Sequence, residues 1–338
     1  MELTPLQPTP VGAFRFNSDS SKLEYYDGNQ WVTVSSRSHD ADTGGGRGVF
    51  GGHIPASNVI EYIQINTTGN SLNFGDLTNQ RYEIEAVSDS SRGVFCGGYE
   101  SPARVNKMEY VAIATEGNAV DFGDLSAARG HMAGASNSTR GIVAGGQIEP
   151  TGHTNAITHI TIQSKGNDSD FGDLIAAAWF AGNGRSNQTR ALFAGGASPS
   201  ENNRIEYITI HTKGNSGDFG DTLTKSYGSG SGNASNSVRA VFAGGTDSPD
   251  PTTDVIQYNT FATLGTSVDF GNLSVARRGG GSVSDCIRGV FAGGRTPSNV
   301  DTIDFVKVMT LGDAIDFGNL LGDSAFNKSG CSNSHGGL

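Results

Sequence analysis

The apolar and polar positions of this chain repeat. RGVFAGG at 288–294 is a short apolar run stopped by two glycines, and near copies begin at Arg47, Arg92, Arg140, Arg190 and Arg239. The intervals between these arginines are 45, 48, 50, 49 and 49 residues, a period that marks an array of supersecondary units. A second line of positions alternates strictly. VIEYIQI, KMEYVAI, RIEYITI and TIDFVKV predict strands with one buried face, marked by Tyr62, Tyr110, His159, Tyr207, Tyr258 and Phe305. A third short strand carries one large anchor in FGD or FGN: Phe74, Phe122, Phe171, Phe219, Phe270 and Phe317, each 12 residues beyond the second landmark. Before each following arginine lies a small-residue stretch such as RGHMAGASNST (129–139), suited to a strand whose backbone is approached closely. Each unit therefore predicts four antiparallel strands, and no helical pattern appears. From the arginine to the second landmark the spacing runs from 15 to 19 residues, so length variation concentrates in the loop after Gly-Gly.

The unit starting at Arg47 has no convincing small-residue strand before it. The chain ends on AFNKSGCSNSHGGL, which aligns with such a strand. Residues 325–333 are predicted to pair with Arg47–Gly52, with His335 at the position of the recurring arginine. This arrangement leaves no open edge between the two ends of the array.

Residues 12–34 read differently, as three short strands joined by NSDSS and DGN turns. So short a meander holds no core alone. Its aromatics, Phe14, Phe16, Tyr25, Tyr26 and Trp31, need an outside surface, Trp31 and Tyr25 above all. The predicted division is an attachment module over 1–36, a polar Gly-rich linker over 37–46 and the repeats over 47–338.

Composition narrows the partners. The chain has 338 residues, 49 glycines, 17% charged residues and a net charge of −11, which suits many short strands and disfavours nucleic acid and anionic membranes. No apolar run has the length of a membrane span, so membrane insertion is not expected. Cys96, Cys286 and Cys331 lack CxxC spacing and read as thiols rather than a disulfide framework.

Small strand, Gly-Gly strand, tyrosine strand and a short last strand together resemble the kelch blade over residues 47–338, with Phe74 and its equivalents where kelch blades usually carry Trp. The resemblance implies an all-β fold: a six-bladed kelch-like β-propeller with four antiparallel strands per blade, closed by the C-terminal strand and preceded by a small N-terminal β-meander. GAFRFN…KLEYYDGNQWV resembles a module near the start of bacteriophage tail and fibre proteins, and the repeats are similar to propeller proteins of phage virions. The combined resemblance implies a non-enzymatic virion component, tail- or fibre-associated and homo-oligomeric in the particle. Its N-terminal module would contact other virion proteins. Alternatives are a host receptor binder for a surface glycan or protein, a capsid decoration or fibre protein and, as a minority reading, a propeller glycan hydrolase.

No catalytic constellation, cofactor motif or metal set stands out. The recurring DFG lacks every other kinase element and behaves as a structural repeat. GSGSGN (228–233) joins strands rather than opening a helix, so it is no phosphate cradle. Asp168, Asp170 and Asp173 read as turn caps rather than calcium ligands. His159 reads as a packed strand residue. The loop after Gly-Gly and the loop after the FGD strand are predicted to share one face. There Tyr82, Arg129, His131, Trp179, Phe180, Tyr227, Arg277 and Arg278, with Arg81 and Lys225, collect basic and aromatic groups of the kind favoured at interfaces. Arg129 and Arg277, at equivalent positions, read more readily as hydrogen-bond partners between repeats. Trp179 breaks the pattern and is the stronger binding candidate.

Overall fold

The computed structural model describes residues 9–17, 22–33, 46–150, 152–180, 183–197, 200–224, 231–232, 234–246, 252–321 and 326–338. Among the described residues the protein is all-β, built of small and almost wholly antiparallel sheets. The chain divides into two compact units, Met1–Gly44 and Gly45–Leu338.

In the first unit Phe14–Asn17, Lys22–Tyr26 and Trp31–Thr33 form a meander, with Phe14 opposite Tyr25, Phe16 opposite Leu23 and Tyr26 opposite Trp31. Asp27 accepts the Asn29 and Gln30 amides at 2.8 and 2.7 Å, which shapes the DGN turn. Strand alternation sends the aromatics to two faces. Phe14 and Phe16, each 67% exposed, share one face with Leu23 and Tyr25. Trp31 lies on the other, where the Arg15 guanidinium sits 4.2 Å from its ring while bonding Glu24 at 2.8 Å. Of the two aromatics expected above all to need an outside surface, Trp31 carries Arg15 over its ring and Tyr25 is exposed. Phe14 and Phe16 are the most open aromatics of the meander, with Leu23 and Tyr25 also exposed beside them.

The second unit realises the repeat. In the second repeat Glu85–Ser88, Arg92–Cys96, Lys107–Ala112 and Val120–Asp124 lie side by side in chain order. The third and fourth repeats follow the same order, and the sixth does so with one further strand, Ser231–Gly232, at its leading edge. In the first repeat the leading strand comes from the far end of the chain. Ser329–Ser332 pairs antiparallel with Arg47–Gly51, setting Ser332 opposite Gly48 and Cys331 opposite Val49. The fifth repeat departs from the four-strand expectation and shows a three-stranded sheet among the described residues. Its leading segment keeps the Ser235–Ala240 bridge, the Val241 amide donating to Ala234 at 2.9 Å and the Asn236 amide donating to Arg239 at 3.0 Å, while Ser231–Gly232 pairs in parallel with Gly281–Ser282 of the sixth repeat. The Val241 carbonyl, which a full strand would occupy, accepts instead from Arg185 Nε at 2.7 Å.

Each repeat packs its two landmarks against each other, the Phe buried and the third-strand residue buried or half-buried. The aromatic or His of the third strand meets the Phe of the fourth edge to face at 5.8–6.1 Å in all six repeats. Every one of those phenylalanines is 2% exposed, and each stabilises the fold by roughly 1.5–3 kcal/mol.

Four devices recur, three of them between repeats and one, the third, within each repeat. The Phe carbonyl of FGD or FGN accepts an amide from a Gly in the next repeat, as in Gly117 to Phe74 and Gly265 to Phe219, both 2.8 Å. Gly69 completes the set by donating to Phe317, from the first repeat to the sixth, also at 2.8 Å. The glycine after each Phe permits this approach. At Gly172, with φ +154°, an added Cβ would collide with the Gly214 carbonyl. The recurring arginines form the second device. Arg140 donates to the carbonyls of Ile210 and His211 at 2.9 and 3.1 Å, and Arg288 donates to Ile65 at 3.0 Å, again from sixth repeat to first. Five of these arginines also lie over the third-strand ring of their own repeat, at 4.3–4.9 Å.

The third device is an Asp or Asn turn before each arginine. Asn187 Oδ1, for example, accepts the amides of Thr189 and Arg190. At the junction of the two chain ends Asn333 Oδ1 accepts the Arg47 amide at 2.8 Å across 286 residues. By this frame His335 stands one position short of the recurring arginine, correcting the predicted alignment, because Arg47 itself fills that place.

The fourth device is a run of serines ending the leading strands. Ser186 donates to the Ser136 carbonyl, Ser235 to Ser186, Ser284 to Ser235, Ser332 to Ser284 and Ser88 to Ser332, at 2.7–2.8 Å. At the remaining place His335 Nε2 lies 3.0 Å from the Ser88 carbonyl and 3.1 Å from Ser136 Oγ.

Candidate functional site

The loops that follow Gly-Gly and those that follow the FGD strand do meet. Tyr82 bridges Tyr99, Trp179 bridges Ala197 and Arg278 bridges Arg295, while Arg129–Gly130 pairs with Gln147–Ile148. The predicted site residues separate there into two groups.

Arg129, Arg277 and Phe180 belong to the interior, not to a binding face. Arg129 is 1% exposed and donates to the carbonyls of Gly145 and Ala156 and to Thr158 Oγ1, with Asp168 at 3.5 Å. Arg277 is paired with Asp304 at 2.8 Å and bonds the Phe291 carbonyl. Burial lowers the pKa of both guanidinium groups, and the neighbouring Asp opposes it. Arg81 is the third of this kind, fully buried against Glu109 at 2.5 Å. Phe180 is 2% exposed and packs on Phe193.

The acidic partners of these cations were missed in the sequence, although the signal was present. The residue before each third-strand landmark is polar in an otherwise apolar strand: Glu61, Glu109, Thr158, Glu206, Gln257 and Asp304. In the first repeat Glu61 takes Lys328, brought in by the C-terminal segment, at 2.7 Å.

Tyr82, His131, Trp179 and Arg278 lie half-buried at the surface. Tyr227 falls outside the described residues. Arg278 stands apart, bonding Thr246 and lying 5.7 Å from the Phe326 ring. The other three join residues that the sequence did not single out. His131 Nε2 lies 3.1 Å from Glu83, and the same carboxylate accepts from Arg104. Arg104 also donates to Gln147 at 2.6 Å and to Glu149 at 2.8 Å, and its guanidinium lies 5.9 Å from the Tyr99 ring. Tyr99 packs on Tyr82 at 5.1 Å. Trp179 takes the His131 ring at 5.2 Å on an edge and lies nearly parallel to His153 at 6.2 Å.

Backbone bonds fix this strip, with the His131 amide donating to Glu83 and the Phe180 amide to His131. Burial works to raise the Glu83 carboxyl, but the His131 hydrogen bond and the Arg104 charge outweigh it and hold the pKa below its ordinary value. Burial raises Tyr82, which stays a neutral phenol.

The remaining candidates are structural. His159 bonds the Ser169 carbonyl at 3.0 Å and packs on Phe171. Asp168 accepts the Ser126 amide at 2.7 Å. Among the described residues no group of three or more His, Cys, Asp or Glu is placed to hold a metal, and no helix is long and apolar enough to cross a membrane. No family model and no curated protein matches the chain.

Proposed function

We propose that the six repeats close into a six-bladed, kelch-like propeller, and that the protein is a non-enzymatic structural component of a bacteriophage virion. It is tail- or fibre-associated and attached through its N-terminal module. The observation carrying the closed ring is that sixth-to-first contacts repeat the devices found between other neighbours: Gly69 to Phe317, Arg288 to Ile65 and Ser332 to Ser284. Such a ring leaves few unpaired strand edges and suits a part that must persist in a particle. The separate first unit supports attachment, because Phe14 and Phe16 lie open on a sheet too small to stand alone. The virion assignment itself draws on the resemblance of GAFRFN…KLEYYDGNQWV and of the repeats to phage tail and fibre proteins. The test is a chain lacking residues 1–40. It should remain folded and soluble yet fail to enter particles or to self-associate. Normal incorporation, or failure of the remaining chain to fold, would overturn the attachment reading.

A further inference from the structure

Six copies of one unit in one chain provide an internal comparison. What the fold needs recurs: the Gly-to-Phe bond, the arginine latch, the Asx turn and the serine. What recurs in no other repeat and yet gathers in one place needs a different explanation. Glu83, Arg104, His131, Glu149 and His153 are such residues, and they gather beside Trp179, whose place eight residues after the FGD Phe holds Tyr82 in the first repeat. They come from the loops of three successive repeats and join into one strip through contacts at 2.8–3.1 Å and ring contacts at 5.2–6.2 Å. Glu83 and His131 occupy equivalent positions, nine residues after Phe74 and Phe122, and the third equivalent, Phe180, is simply buried core. The shared position is therefore not bound to be polar.

We propose that this strip is a binding site for a neutral sugar. A pyranose presents an apolar C–H face and a belt of hydroxyls. The strip presents aromatic groups at both ends, Trp179 with His153 and Tyr82 with Tyr99, and between them charged hydrogen-bonding groups already held in place. A carboxylate and a guanidinium locked together offer hydroxyls both an acceptor and a donor without reordering. Two carboxylates, Glu83 and Glu149, flank the single Arg104, so an anionic sugar meets net negative charge, on a chain that is itself acidic. Glu149, with 42% of its side chain exposed, is the member most open to a ligand. The proposal rests on the closed arrangement of repeats and not on the virion assignment. Its test reads sugar binding rather than incorporation, so either reading can fail alone.

The test is saturation-transfer NMR and titration of the full chain with maltotriose, cellotriose, mannotriose and N-acetyllactosamine, with sialyllactose as the anionic contrast. At least one neutral sugar should bind, and Trp179→Ala should weaken it at least tenfold with the melting temperature kept. Glu83→Gln should weaken it as well. If Trp179→Ala does not fold, Trp179→Phe keeps an apolar ring and should still lose several-fold in affinity. No binding of any neutral sugar, binding of sialyllactose alone, or equal affinity in the folded Trp179 variant overturns the proposal.

Discussion

The His335 imidazole is 1% exposed between the Ser88 carbonyl and Ser136 Oγ, and burial holds its pKa at about 4 against an ordinary 6.5. A depressed base takes up its proton more readily in the unfolded chain. Stability linked to this group is therefore complete above about pH 6.5 and is lost as the pH falls toward 4. The loss over that window is about 3 kcal/mol. His335→Asn should flatten the dependence of melting temperature on pH between 6.5 and 4 relative to the native chain, and parallel curves would refute the assignment. His53, which burial also pushes down to about 4, adds a background that the difference between the two chains removes. None of this was legible in SNSHGGL, because the partners of His335 are a serine hydroxyl and a carbonyl from other repeats. The recurring arginines were visible as landmarks for the same reason that their role was not. Their acceptors are main-chain carbonyls of the next repeat, which leave no mark in composition.

Among the strands, periodicity told most. The alternation around Tyr62 and its equivalents, and the constant 12-residue step to Phe, became paired strands with rings in contact. The C-terminal strand was readable from an unfilled place in the repeat, although the structure trims it to Ser329–Ser332. The fifth leading strand departs from the repeat: Ser231–Gly232, within the GSGSGN segment read as a loop, pairs in parallel with Gly281–Ser282, and the buried Arg185 of the fourth repeat takes the Val241 carbonyl. Removing residues 322–338 takes away the Ser329–Ser332 strand, the Glu61–Lys328 pair and the Arg47 turn partner together. Lone buried charges are costly, so Glu61 without Lys328 adds to the exposed edge. The truncated chain should melt at a lower temperature and aggregate in light scattering. A monodisperse protein with an unchanged midpoint would show that the segment contributes nothing.

At the scale of the whole molecule, the sequence showed the two-unit division through the change from a short meander to a repeat. It could not show which aromatics of the meander stay open, because Arg15 covers Trp31 through local register. Nor could it show the strip on the loop face, which is assembled from segments of variable length in three repeats. The Asn333–Arg47 contact has a consequence of its own. Every other turn of that form is made within continuous chain, so the break between 333 and 47 is a matter of where the polypeptide was cut. A circular permutant should therefore fold. With residues 1–45 removed, Asn333 linked through a short Gly-Ser spacer to Gly46, and new termini opened between Ser237 and Val238, it should give the same strand pairing and cooperative melting, displaced only by what the His335 tail contributed. The six positions would then be interchangeable as starting points, and the order in which a ribosome delivers the repeats would be separable from the order in which they pack.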